Sequence, residues 1–135
     1  MAGGRIKYDS NPMALTEYLP LTQEAKRYSA VPAECKTKWC SGPYLREALA
    51  GAAAFTFPKL ENPKDGIDRH GRLYLIGGYM ASNAESTKIY YLDNFIGPWR
   101  EEVEERSGRA VTLEQGATDH LIFVTTEELS LCLSD

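Results

Sequence analysis

The stretch from Arg72 to Trp99 constrains the fold more than any other part of this chain, because it combines two dense strand signals, the loop joining them and a helix start. From Arg72 to Met80 apolar side chains fall on both faces, Leu73, Leu75 and Tyr79 on one and Tyr74, Ile76 and Met80 on the other. A strand that is apolar on both faces belongs in the middle of a sheet, with packed material above and below it. Lys88 to Phe95 repeats the density with Ile89, Tyr90, Tyr91, Leu92 and Phe95. Between the two, Gly77 and Gly78 mark a bulge, or a place where another backbone or a bulky ring lies close against the strand.

The flanking segments predict shorter elements. Leu21 to Ala30 reads as a short helix bounded by Pro20 and Pro32. A second helix is expected from Pro43, capped by Ser41 or Gly42, with Tyr44, Leu45, Ala48, Leu49 and Ala52 at helical spacing. Ala53 to Phe57 reads either as the tail of that helix or as a strand, and Pro58 stops either one. Glu61 to Gly71 is dense in turn formers and predicts an exposed loop. Gly97 and Pro98 then open a third helix, with Trp99 and Val103 on its inner side and Gly108 placed to end it. Ala110 to Glu114 alternates as a strand, turns near Gly116, and is followed by an apolar strand at Leu121 to Val124. Thr125 and Glu128 have capping-box spacing, and Val124 and Leu129 stand as a hydrophobic staple at the start of a terminal helix.

The class this order predicts is α+β: a mostly antiparallel sheet of four to five strands with two to four short helices, in the order α-β-β-α-β-β-α. The helix before Ala110 is about the minimum crossover length for one parallel pair. Residues 1–15, rich in Gly, Asn, Pro and Ser, read as an irregular N-terminal arm, and residues 16–135 as a single domain. At 135 residues, such a chain buries roughly two thirds of its unfolded surface without needing metal or disulfides.

The stretch from Leu73 to Trp99 resembles one kelch repeat: a hydrophobic strand ending in Gly77 and Gly78, a later Tyr91 and Asp93, then Trp99. That resemblance implies a propeller blade, which cannot bury its faces alone. No second diglycine strand with a matching Tyr and Trp occurs in the chain.

Hydrophobic residues at 43% and charged residues at 25% argue against wholesale disorder and against a coiled coil. No apolar run approaches the roughly 20 residues that span a bilayer, and the N-terminus lacks the apolar core of a secretion signal. The expected location is therefore the cytoplasm, without membrane attachment. Three cysteines, Cys35, Cys40 and Cys132, make an odd set that fits a reducing compartment. Cys35 and Cys40 can pair if their segment bends, whereas Cys132 among Leu129, Leu131 and Leu133 reads as a small core residue.

No cofactor is expected. Zinc would have to draw on Cys35, Cys40, Cys132, His70 and His120, but the Cys35 to Cys40 gap is wider than a zinc knuckle and the others are scattered singly. Basic and aromatic residues interleave at Lys26, Arg27, Tyr28, Lys36, Lys38, Trp39, Tyr44 and Arg46, a pattern that RNA-binding surfaces use. Acids at Glu24, Glu34 and Glu47 dilute it, and the net charge of −4 opposes it. The charge is also uneven. Residues 1–50 hold seven Lys and Arg against five acids, and residues 51–135 hold eight against fourteen.

These features read as a small acidic non-enzymatic protein that acts by protein–protein interaction, as an inhibitor, immunity or adaptor factor. The expected surface is the outer face of the third helix, Glu101, Glu102, Glu104 and Glu105, with Tyr79 or Tyr90 as exposed anchors and a partner whose own surface is basic. One alternative is a structural subunit of a homo-oligomer or larger assembly, with residues 1–15 ordering on a neighbour. The other is a small enzyme, which requires Asp68, His70 and His120 to converge in one cleft.

Overall fold

A computed structural model describes residues 1–7, 9–57, 61–63, 66–93, 97–103 and 107–112. The two strand signals become β4 (Arg72–Ile76) and β5 (Ile89–Asp93), which pair antiparallel with Tyr74 opposite Tyr91 and Leu75 opposite Tyr90. On the other side of β4 lies β3 (Ala53–Thr56), in register Ala54 to Leu75 and Phe55 to Tyr74. Beyond β5 lies β6 (Arg100–Glu101), so the order is β3-β4-β5-β6 with every neighbour antiparallel. A second, two-stranded antiparallel sheet is made by β1 (Glu17–Tyr18) and β2 (Cys40–Ser41). One α-helix, α1 (Gln23–Arg27), and two 3-10 turns complete the described elements.

The α+β expectation is therefore overturned, since the chain is mostly β, with two antiparallel sheets and a single five-residue helix among the described residues. Two of the expected helices fail for the same physical reason. The segment after Pro43 does bury Leu45 and Leu49, but its amides turn to the N-terminal arm instead of to their own preceding turn. Leu45 N–H donates to the Ala14 carbonyl at 2.8 Å, Leu49 N–H donates to the Met13 carbonyl at 3.2 Å, and the Leu49 carbonyl accepts from Gly4 N–H at 2.7 Å. Ala50 then exchanges hydrogen bonds with Tyr79. Tertiary partners that satisfy the backbone outweigh helix propensity, which is worth only about 0.7 kcal/mol per ordinary residue.

After Pro98 the same thing happens. Arg100 and Glu101 pair with Tyr91 and Tyr90, and Glu102 N–H donates to the Ile89 carbonyl at 2.8 Å. Trp99 enters the core at the head of a strand, not of a helix. The expected strand at Ala110 to Glu114 begins with lone bridges at Ala110 and Thr112. Residues 113–135, with the expected strand Leu121 to Val124 and the terminal helix, lie outside the described residues.

The four-stranded sheet is packed on both faces, as the β4 pattern predicts. On one face Leu75, Tyr90 and Leu92 meet Leu45, Leu49 and Trp99, and on the other Tyr74, Ile76 and Ile89 meet Phe57, Phe55 and Val111. The second face carries an aromatic row: Phe55 stacks on Tyr74 with centroids 5.3 Å apart, and Tyr74 lies 5.8 Å from Tyr91.

Of the two readings the sequence offers for the diglycine, the structure shows the close approach. The ladder also slips here, from Ile76 opposite Ile89 to Tyr79 opposite Glu85, but the extra residue of that bulge lies on the β5 side, between Glu85 and Ile89. Gly78 has φ +92°, and a Cβ there would lie 3.0 Å from the Ala52 Cβ and 3.1 Å from the Ala50 carbonyl oxygen. Only glycine accommodates that backbone and that approach.

The N-terminal arm is irregular but tied down. Ala2 bridges Thr16 and Met13 bridges Leu49, and Gly3 N–H donates to the Leu15 carbonyl at 2.9 Å. The stretch that resembles a kelch repeat forms the middle of one four-stranded meander, and no second such sheet occurs among the described residues.

Candidate functional site

Among the described residues, those that the sequence singles out do not assemble into one surface. Glu101 is half-buried on β6, and its neighbour Glu102 is only 5% exposed and accepts a hydrogen bond from the Tyr74 hydroxyl at 3.1 Å. Consecutive strand positions point to opposite faces, so these two glutamates cannot form the outer face of a helix. Glu104 and Glu105 lie outside the described residues. Tyr90 is no exposed anchor either. It is 3% exposed, and its hydroxyl donates to Glu47 Oε1 at 2.9 Å, beside Ser86 Oγ, which donates to the same oxygen at 2.7 Å. Tyr79 is half-buried and held between Ala50 and Glu85.

The enzyme constellation is not brought together in the described part. The Asp68 carboxylate accepts the backbone N–H of His70 at 2.9 Å, an Asx-type turn bond that makes Asp68 a loop stabiliser. Both side chains are exposed, and His120 lies outside the described residues.

The buried polar groups are instead structural. Arg72 pairs with Asp93 directly across the β4–β5 ladder at 3.0 Å, and its guanidinium carbon sits 4.3 Å from the centre of the Tyr91 ring. Burial pushes the Tyr74 hydroxyl up to about 12; the hydrogen bond to Arg72 pulls against this and the Glu102 charge adds to it. Burial likewise raises Tyr90, helped by its bond to Glu47.

Both tyrosines are thus neutral in the fold to a higher pH than in the unfolded chain. Their stabilisation is fully present below 10.0, the ordinary tyrosine value, and is lost as pH rises through the folded values. We expect urea unfolding midpoints that fall as pH rises from 10.0 to about 12. A midpoint unchanged across that window would remove the two hydroxyls from the folding equilibrium.

An open apolar surface is found elsewhere, around β1, α1 and β2. Pro20 breaks the chain after β1, and Thr22 caps α1 by accepting from Ala25 N–H at 3.0 Å. Glu24 in the first turn and Lys26 and Arg27 in the last complement the helix ends. Between this turn and the following chain is a cleft of about 510 Å³, walled by Tyr18, Leu19, Leu21, Ala25, Tyr28 and Val31.

Tyr18 and Leu19 are also walls of a second hollow of about 210 Å³ that reaches Trp39, Pro43 and the edge of Trp99. Cys35 is buried and joined to Cys40 by a disulfide, so the chain between them bulges outward with Trp39 next to the bridge. That bridge removes the cysteine count as an argument for a reducing compartment.

Four large side chains on this segment face solvent: Leu21 is 82% exposed, Tyr44 69%, Trp39 57% and Tyr28 37%. Single exposed apolar residues need no explanation, but Leu21 and Tyr28 in the wall of one apolar cleft, with Trp39 in the wall of the hollow that shares Tyr18 and Leu19, are the usual mark of a binding surface. The charges of residues 17–46 are Lys26, Arg27, Lys36, Lys38 and Arg46 against Glu17, Glu24 and Glu34, a positive balance in a chain that is negative overall. The sequence signal for this surface was the interleaving of basic and aromatic residues from Lys26 to Arg46. The cleft itself has no periodicity that sequence reading could use.

Among the described residues no group of three or more His, Cys, Asp or Glu is placed to hold a metal ion, and no helix is long and apolar enough to cross a membrane. The chain matches no family model and no curated protein.

Proposed function

We propose that this protein works by binding another protein, and that its docking surface is the cleft between β1 and α1 together with the Trp39 hollow. The observation that carries the reading is an apolar cleft of about 510 Å³ with the solvent-facing Leu21 and Tyr28 in its wall, beside a second hollow that shares Tyr18 and Leu19 and is lined by the exposed Trp39. Aromatic side chains held in place beside an apolar recess are what binding hot spots are made of. The charge balance of residues 17–46, five Lys and Arg against three Glu of which Glu24 lines the cleft, favours a partner segment with an apolar anchor and carboxylates on either side. Such a surface serves an inhibitor or adaptor and needs no catalytic group.

The test uses fluorescein-labelled peptides with a central Leu or Phe flanked by Asp and Glu, a matching set flanked by Lys, and a labelled oligo(dT). The acidic-flanked peptides should bind the intact protein, and Leu21→Asp with Trp39→Asp should weaken them at least about tenfold, which is about 1.4 kcal/mol. Both positions are mostly solvent-exposed, so the double variant should keep the wild-type circular dichroism spectrum. Equal binding by the double variant, or a preference for the Lys-flanked peptides, would overturn the proposal. Tightest binding to oligo(dT) would replace it with nucleic-acid recognition.

A further inference from the structure

We infer that β3 is a self-association edge, on which a second copy of this chain pairs antiparallel to make one continuous sheet. β3 is the end strand of the four-stranded sheet, bonded to β4 on one side. The opposite end of the sheet is covered: beyond β6, Val111 N–H donates to the Glu102 carbonyl at 3.0 Å and Val103 bridges Ala110. The chain just before β3 is covered too, since Gly4 and Met13 take up the backbone of Leu49. At Ala53–Thr56 no strand covers the outer side among the described residues.

An uncovered edge normally carries a guard against pairing, such as a lysine, a proline within the strand or an inward charge. From Ala48 to Pro58 this chain has no charged residue at all, and proline appears only after the strand has ended. The strand is open in its side chains as well, with Ala54 and Thr56 exposed and Ala53 and Phe55 half-exposed.

The occupant follows from symmetry. Antiparallel pairing of identical strands about a two-fold axis at Phe55 sets Phe55 opposite its copy, and Ala54 opposite Thr56 of the other chain. The aromatic row then becomes continuous across the axis. It already runs Tyr91, Tyr74, Phe55 and stops at the half-buried Phe55 ring at the sheet edge. Facing aromatic rings are among the favourable cross-strand pairs, and an uncharged edge offers no repulsion between copies.

The experiment is sedimentation velocity over a concentration series with the full chain. The wild type should move from monomer to dimer as concentration rises. Ala54→Lys with Thr56→Lys puts lysine opposite lysine at two cross-strand pairs and should weaken the dimer on the order of tenfold. Ala54→Glu with Thr56→Glu should do the same alone, and an equal mixture of the two variants should restore the dimer. That restoration also shows that both variants fold. The Leu21→Asp with Trp39→Asp variant should dimerise as the wild type does, which separates this edge from the cleft. A wild type that stays monomeric at every concentration overturns the inference. So does a dimer that is indifferent to the charge variants, or one abolished by the cleft variant.

Discussion

Truncation of Trp99 to alanine is expected to lower unfolding stability by about 3–5 kcal/mol, the range for a large buried aromatic. Trp99 is 1% exposed and belongs to the core cluster that joins Leu45 and Leu49 to Leu75, Tyr90 and Leu92. Its indole N–H also donates to the Pro43 carbonyl at 3.1 Å, which ties the chain just ahead of β6 to the segment that follows β2. That carbonyl keeps a second bond, from Thr16 Oγ1 at 2.7 Å, so the variant loses packing without leaving an orphaned acceptor. Single domains hold only about 5–15 kcal/mol in total, so the loss is a large share of it. Urea denaturation measures the change, and a loss under about 1 kcal/mol would mean that this ring is not a central packing element.

Tyr74 on the opposite face is the second expected large effect. Replacing it with alanine should cost about 3–5 kcal/mol, and with phenylalanine about 1–3 kcal/mol. The alanine variant removes the middle ring of the Phe55, Tyr74 and Tyr91 row, which is fully buried and also meets Phe57 edge-on at 5.3 Å. Phenylalanine keeps the row but removes the donor to Glu102, a carboxylate 5% exposed that would then be desolvated without its partner. The difference between the two variants therefore separates ring packing from the hydroxyl. If phenylalanine were as damaging as alanine, the bond to Glu102 would matter more than the aromatic row. A phenylalanine variant with full stability would mean that Glu102 has other means of satisfying its charge.

The candidate surface was legible only in part. Lys26, Arg27, Tyr28, Lys36, Lys38, Trp39, Tyr44 and Arg46 stand out in the sequence as basic and aromatic residues mixed together, and three of the four large exposed side chains of this segment are among them. Charge balance weighs that pattern against nucleic acid, and sequence does not show that an apolar recess lies beside Tyr28. The acidic residues misled in the opposite direction. Glu101, Glu102, Glu104 and Glu105 look like a solvated helix face, yet Glu102 is drawn under the sheet by Tyr74, a residue 28 positions earlier in the chain. Composition cannot distinguish a buried carboxylate with a hydroxyl partner from an exposed one.

Sequence alone determined the centre of this protein. β4 and β5 carry apolar side chains at every position that must be buried, and Gly78 marks where Ala50 and Ala52 come close. Local pattern suffices there because alternation, β-branching and glycine each act within a few residues. The tertiary structure decided the state of the segments around Leu45 and Trp99. Both have helical spacing and both became extended, because partners distant in sequence, the Ala14 and Met13 carbonyls for one and Tyr90 with Ile89 for the other, satisfied their backbones. A helix closes its hydrogen bonds within itself, whereas a strand takes them from wherever the rest of the chain places a donor or acceptor.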